Sequence, residues 1–134
     1  MNNNHAKDGA TPQAFSLTQA EIGSDIFEGV PPKAILGSTG RSLRLFESAD
    51  TVFALGGFEV EIGADFNREH RYDPFPRHEY MFFTKGGMRL EGDDGTVAEA
   101  GPGEMLFIPK GWCGLRIITG EGQMQKFSIV YLDD

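Results

Sequence analysis

His70, Tyr72, His78 and Glu79 fall within ten residues of one another and include two of the chain's three histidines, so they are the first candidates for binding a metal or exchanging a proton. Imidazole nitrogens and carboxylate oxygens hold divalent ions at about 2.0–2.2 Å, so any metal site is expected from His70, His78 and Glu79, with Tyr72 beside them. Alternation opposes that set. His78 and Glu79 are sequence neighbours, and neighbours on a strand point to opposite faces. The expectation is therefore a site with no cofactor, a divalent metal being the alternative.

Other chemistry is sparse. Cys113 is the single cysteine, so no internal disulfide can form. Beside Gly114, with no neighbouring His, it reads as a small apolar residue rather than a nucleophile. His5 stands in a polar N-terminal stretch and carries no role. The chain has no glycine-rich phosphate loop, no Cys-x-x-Cys pair, no Gly-x-Ser-x-Gly elbow and no basic-aromatic stripe. Arg71, Arg77, Lys110, Glu104 and the Asp93-Asp94 turn read as solvated surface.

The elements that must position these residues are short. In 134 residues there is room for one core, and 18 Gly, 7 Pro and 11 Phe suit many strands joined by tight turns around aromatic packing. Strands are expected at 42–46, 51–62, 79–84, 88–91, 97–100, 105–108, 115–119 and 125–131. Turns at 85–87, 93–95, 101–103 and 120–122 separate the later ones. Pro74-Phe75-Pro76 predicts an extended loop over 67–77 at the mouth of a barrel. Residues 1–12 read as a mobile polar tail and 13–41 as an arm, weakly helical over 15–26, that packs across the outside of a barrel spanning 42–134. The fold class is all-β, a double-stranded β-helix or jelly roll with a short N-terminal arm.

With 12 basic and 20 acidic residues the net charge is −8, which opposes binding to nucleic acid or to an anionic membrane. No segment is apolar enough for a signal peptide or a membrane span. By elimination a cytoplasmic setting and a small-molecule partner are expected.

Gly103, five residues, Pro109, one residue, Gly111 reproduces the spacing of the second cupin motif, and three positions later, where that motif has a metal-binding His, stands Gly114. Together with Phe58-Glu59, His78-Glu79, Gly111-Trp112-Cys113-Gly114 and Lys126-Phe127, this resembles the small cupins related to ureidoglycine aminohydrolase. The resemblance covers 57–132. Arg116 departs from it, standing where that family usually has a second Trp. The first cupin motif keeps only Glu79 and Gly86.

The resemblance implies that Glu79 faces the barrel interior with Met81 and Phe83. An ionised carboxylate there needs a partner. In place of the missing ion, either Arg116 or Lys126 is expected to supply it. The candidate ligand-binding residues are Glu79, Arg116, Lys126, Trp112 and Tyr72, with Glu79 also the candidate catalytic acid or base. Trp112 reads equally as packing. What the resemblance implies is a small-molecule-binding cupin with a degenerate metal site and a barrel pocket around Glu79, related to ureidoglycine aminohydrolase, with enzymatic activity left open. A metal-free ligand sensor and a non-catalytic structural dimer module are the alternatives. A homodimer is implied in each case, and the apolar alternation of Phe53, Leu55, Phe58, Val60 and Ile62 offers surface for it.

Overall fold

The computed structural model describes residues 4–5, 13–23 and 25–131. The expected mobile tail over 1–12 falls outside these residues except for Asn4–His5. That pair forms β1 and runs parallel to Phe46–Glu47. A single helical turn and a half, α1 (Gln19–Gly23), is all that the weak helical pattern of the arm yields.

The remaining strands are β2 (Lys33–Ile35), β3 (Ser38–Glu47), β4 (Phe53–Ile62), β5 (Glu69–Tyr72), β6 (Glu79–Lys85), β7 (Gly87–Gly92), β8 (Val97–Ala100), β9 (Met105–Ile108), β10 (Gly114–Thr119) and β11 (Gly122–Tyr131). They form two sheets. The larger has the order β1-β3-β4-β11-β6-β9 with β2 also on β3, and the smaller has the order β5-β10-β7-β8. Apart from the parallel β1–β3 pair, every ladder is antiparallel. The buried cluster draws Val60, Met81, Phe83, Leu106, Ile108 and Met124 from the larger sheet and Met88, Leu90, Ala100 and Ile118 from the smaller. One face of each sheet therefore closes on the other, the jelly-roll arrangement expected from the sequence.

Two sequence expectations need correction. β2 and β3 begin inside the segment assigned to the arm, so the sheet starts before Ser42. The loop expected over 67–77 begins with β5, which pairs with β10 through Gly114↔Tyr72 to Ile117↔Glu69. Glu69-His70-Arg71-Tyr72 has no apolar alternation because it is an edge strand, three of whose four residues are exposed. Beyond it, the chain turns at a cis Asp73-Pro74 bond. Phe75 then drops into the core and exchanges backbone hydrogen bonds with the turn opposite, its N–H to the Trp112 carbonyl and its carbonyl to the Gly111 N–H.

The arm is fastened from outside. Phe27 is fully buried against β4 at Gly57, where even a Cβ would come within 3.1 Å of the Phe27 and Phe127 rings. Arg41 stacks its guanidinium 5.6 Å from the Phe27 ring centre and donates to the Phe27 carbonyl at 2.9 Å. It also pairs with Asp25 and with buried Glu59. Replacing Phe27 with Ala should lower unfolding free energy by about 3–5 kcal/mol in a urea titration. A loss below about 1 kcal/mol would mean that the arm does not contribute to the folded unit.

Candidate functional site in the barrel cavity

Alternation along the long strands sets which side chains enter the barrel. On β11, Met124, Lys126, Ser128 and Val130 face inward, opposite Phe58, Gly56 and Ala54 on β4 for the last three. On β3, Ser42 and Arg44 do the same before a register shift between Arg44 and Phe46. On β10, the inward residues are Arg116 and Ile118. Together these residues, with Ile35, Leu36, Arg77, Glu79 and Met88, line an open cavity of about 670 Å³.

Glu79 is in its wall. Lys126 Nζ donates to Glu79 Oε2 at 2.7 Å, with both side chains more than four-fifths shielded from solvent. The ammonium also lies 5.7 Å from the Phe58 ring centre and 3.5 Å from Met81 Sδ. Of the two cations that the sequence offers to Glu79, the one in contact is thus Lys126. Loss of either partner would strand a charge in an apolar wall, at a cost of about 3–5 kcal/mol.

Arg116 is held differently. Its guanidinium carbon lies 6.0 Å from the Tyr72 ring centre, yet its Nε and Nη2 are shielded from solvent and find no hydrogen-bond partner among the described residues. Burial pulls its pKa below the ordinary arginine value, and the charges of Tyr72 and Glu79 oppose that shift. Tyr72 is outside the cavity wall and reaches it only through Arg116. Its ring packs edge-on against His70 at 4.5 Å and Phe75 at 4.7 Å.

Trp112 also stands outside the wall, packed against the core cluster. Its position explains Gly114. A Cβ at Gly114 would collide with the Glu91 carbonyl oxygen and sit 2.6 Å from Trp112 Cζ2. The space into which a histidine would project is occupied by the indole.

The other metal candidates are dispersed. His78 faces outward, stacked on Phe107 at 5.9 Å and edge-on to Tyr131 at 6.1 Å, with its Nδ1 accepting the Lys110 N–H at 2.9 Å. His70 is exposed on β5. The conditional set of His70, His78 and Glu79 is therefore not brought together. No group of three His, Cys, Asp or Glu side chains among the described residues is placed to share an ion. The residues present do not fit the metal that a cupin barrel commonly holds, because Gly114 lacks a donor, His78 points away and Glu79 is engaged by Lys126. Cys113 donates to Asp73 Oδ1 at 3.3 Å, and that hydrogen bond, with burial adding to it, holds the thiol above its ordinary pKa. Such a shift disfavours the nucleophilic thiolate.

Sequence reasoning missed Arg44, Arg77, Ser42 and Phe58 as wall residues. Arg77 had a legible signal, standing two positions before Glu79 and so on the same parity. Arg71, by contrast, is tied to Asp93 at the surface.

Two facing antiparallel sheets around a cavity make this chain an all-β jelly-roll barrel. No protein-family model and no curated protein match the sequence. Solved structures do. An RmlC-like cupin from Shewanella frigidimarina aligns with a TM-score of 0.55 at 11% identity, over 79% of this chain and 86% of that one. A protein of unknown function in the DUF861 family, from Pseudomonas syringae pv. tomato, gives 0.58 at 20%, over 79% of this chain but 46% of that one. Ectoine synthase from P. lautus gives 0.53 at 16%, over 75% and 68%. At these identities the likeness shows the fold.

The Gly114→His variant should not gain a metal. Elemental analysis is expected to find no stoichiometric zinc or cobalt, and overpacking against Trp112 and Glu91 should lower stability by about 1–3 kcal/mol. Bound metal at full stability would show that the indole yields its place.

Proposed function

We propose that this cupin binds a small metabolite in its barrel cavity without a resident metal ion, around the Glu79–Lys126 pair. The observation that carries the reading is an ion pair built into the wall of a cavity of about 670 Å³, a volume within the range of small-molecule sites. Lys126 supplies beside Glu79 the positive charge that a metal would otherwise bring, and the apolar remainder of the wall supplies contact area. Glu79 is the residue of this site suited to acid or base work. Kinship with the ureidoglycine aminohydrolase-like cupins is supported by the Gly103 to Gly114 motif and by the DUF861 neighbour. Their reaction is not carried over, since the ligand set that would hold a metal is dispersed. Among the described residues no helix is long and apolar enough to cross a membrane. A cytoplasmic setting is part of the proposal.

Ser42 lines the cavity and is itself exposed, so Ser42→Trp should block the cavity without disturbing the core. In a thermal-shift survey of polar metabolites, a binder is expected to stabilise the parent chain equally with and without chelator and to lose its effect on the variant. Stabilisation that vanishes with chelator would return the metal to the site.

A homodimer is the second part of the proposal. Tyr80 and Phe82 on β6, Met105 and Phe107 on β9, and Ile129 and Tyr131 on β11 are each at least two-fifths exposed. Cross-strand register places Tyr80 beside Phe107 and Ile129, and Phe82 beside Met105, so the six form one outer apolar face. Phe53 and Leu55 continue it on β4. Phe58, Val60 and Ile62, read from the sequence as possible dimer surface, instead pack into or against the core. A second copy laid on this face would remove it from water. Light scattering should give twice the chain mass for the parent and a monomer for the Tyr80→Lys, Phe107→Glu double variant. A monomeric parent would overturn the dimer.

A further inference from the structure

We propose that the ligand of the barrel cavity is a small organic carboxylate and that Arg116 binds its carboxylate group. This rests on the reading of the cavity as a metabolite site and names the class of metabolite. The first observation is the distribution of charge. The chain holds 12 basic and 20 acidic residues. Yet the cavity wall contains Arg44, Arg77, Arg116 and Lys126 against the single acid Glu79. A third of the basic residues thus line one cavity of an acidic protein, together with one acid of the 20.

Not all of that charge is available. Lys126 is committed to Glu79 at 2.7 Å, and Arg44 to Glu47 at 2.5 Å. Arg77 is exposed and makes no hydrogen bond or ion pair among the described residues. Arg116 remains as the shielded cation without an anionic partner in contact.

The second observation is which atoms of Arg116 are unsatisfied. Nε and Nη2 form one two-pronged edge of the guanidinium, and both are buried without a partner among the described residues. Two parallel N–H donors on a planar fork match the two oxygens of a carboxylate. A buried donor left unpaired is costly, and a charged one more so. The ring of Tyr72 offers the cation only its π face, which leaves the two N–H groups without an acceptor. A carboxylate's negative charge matches the one shielded guanidinium; Arg77, the other uncompensated cation of the wall, is exposed, so it would meet the second charge of a phosphate dianion only through screening water. Ile35, Leu36, Phe58, Met88, Ile118 and Met124 give the rest of the ligand a hydrocarbon surface.

The test uses the full-length chain with butyrate, succinate and 2-oxoglutarate, each against its neutral amide or ester, and inorganic phosphate as a separate arm, by calorimetry and thermal shift at pH 7. At least one carboxylate should bind while its neutral analogue does not. Arg116→Met should weaken that binding by at least about tenfold. Arg116→Lys, which keeps the charge but loses the fork, should bind with intermediate affinity. Because Met removes an unpaired buried cation, the ligand-free variant should melt no lower than the parent. A purely structural Arg116 would give the opposite, a lower melting temperature with carboxylate affinity intact.

Equal binding of the neutral analogues, carboxylate binding that survives Arg116→Met, or binding of phosphate alone would each overturn the inference. If only neutral compounds bind, and Ser42→Trp abolishes that binding, the cavity stands as a metabolite site and the carboxylate assignment falls. If no compound shows binding sensitive to Ser42→Trp, both fall.

Discussion

A charge inside a β-barrel must be answered from within the barrel, and that requirement organises the interior of this protein. Glu79 enters the cavity because it shares strand parity with Met81 and Phe83, both fully buried. Once there, its carboxylate needs a cation within hydrogen-bond reach. Lys126 meets the need by reaching diagonally: register sets it between Phe83 on β6 and Phe58 on β4, with Val130 opposite Glu79, and its long side chain runs past Met81 to the carboxylate. The shift in the β11–β6 register between Gln125 and Lys126 falls at this residue. The answer is therefore built into the central strand of the sheet rather than supplied by a loop.

A second buried carboxylate shows the same rule on the other face of β4. Glu59 points outward, is 4% exposed, and is held by Arg41 and Gln123 beneath the arm. Arg41 in turn carries Phe27 and Asp25. Satisfying Glu59 and attaching the arm are thus one structural event. The paired glycines of β4 serve the two faces separately: Gly57 admits the Phe27 ring outside, and Gly56 lines the cavity inside. An ordinary side chain at Gly57 would displace the arm, and one at Gly56 would meet the Leu43 carbonyl at 2.8 Å.

Much of this was legible in the sequence because period-two alternation and turn residues report directly on which face a strand buries. The strands over 97–100 and 105–108 fall where the pattern puts them, and the opposite facing of His78 and Glu79 follows from adjacency alone. β5 was illegible because an exposed edge strand has no apolar face to advertise. β2 follows two prolines and is three residues long. The choice between Arg116 and Lys126 as partner of Glu79 could not be made from parity, since both point inward; it is set by how far each side chain reaches in three dimensions, Lys126 arriving diagonally from a position opposite Phe83, which single-sequence patterns do not encode. Trp112 was ambiguous for a related reason. Its ring takes the space over Gly114, and only the fold shows that the missing histidine and the present tryptophan are one substitution of volume.

The charge of the whole chain and the charge of its cavity have opposite signs, and the length scale of screening reconciles them. At physiological ionic strength the Debye length is about 8 Å, so charges elsewhere on this net −8 chain are screened over about that distance. Within the cavity the wall groups are closer than that length to one another, so nearby groups dominate the potential. There the balance is four cations to one anion, two of those cations being compensated by Glu79 and Glu47. A field of this kind does little to steer an anion from a distance. What it sets is the balance at contact, where Arg116 and Arg77 are the cations left uncompensated while Lys126 and Arg44 are already engaged. The acidic exterior and the cation-rich wall therefore do not cancel, because screening separates them.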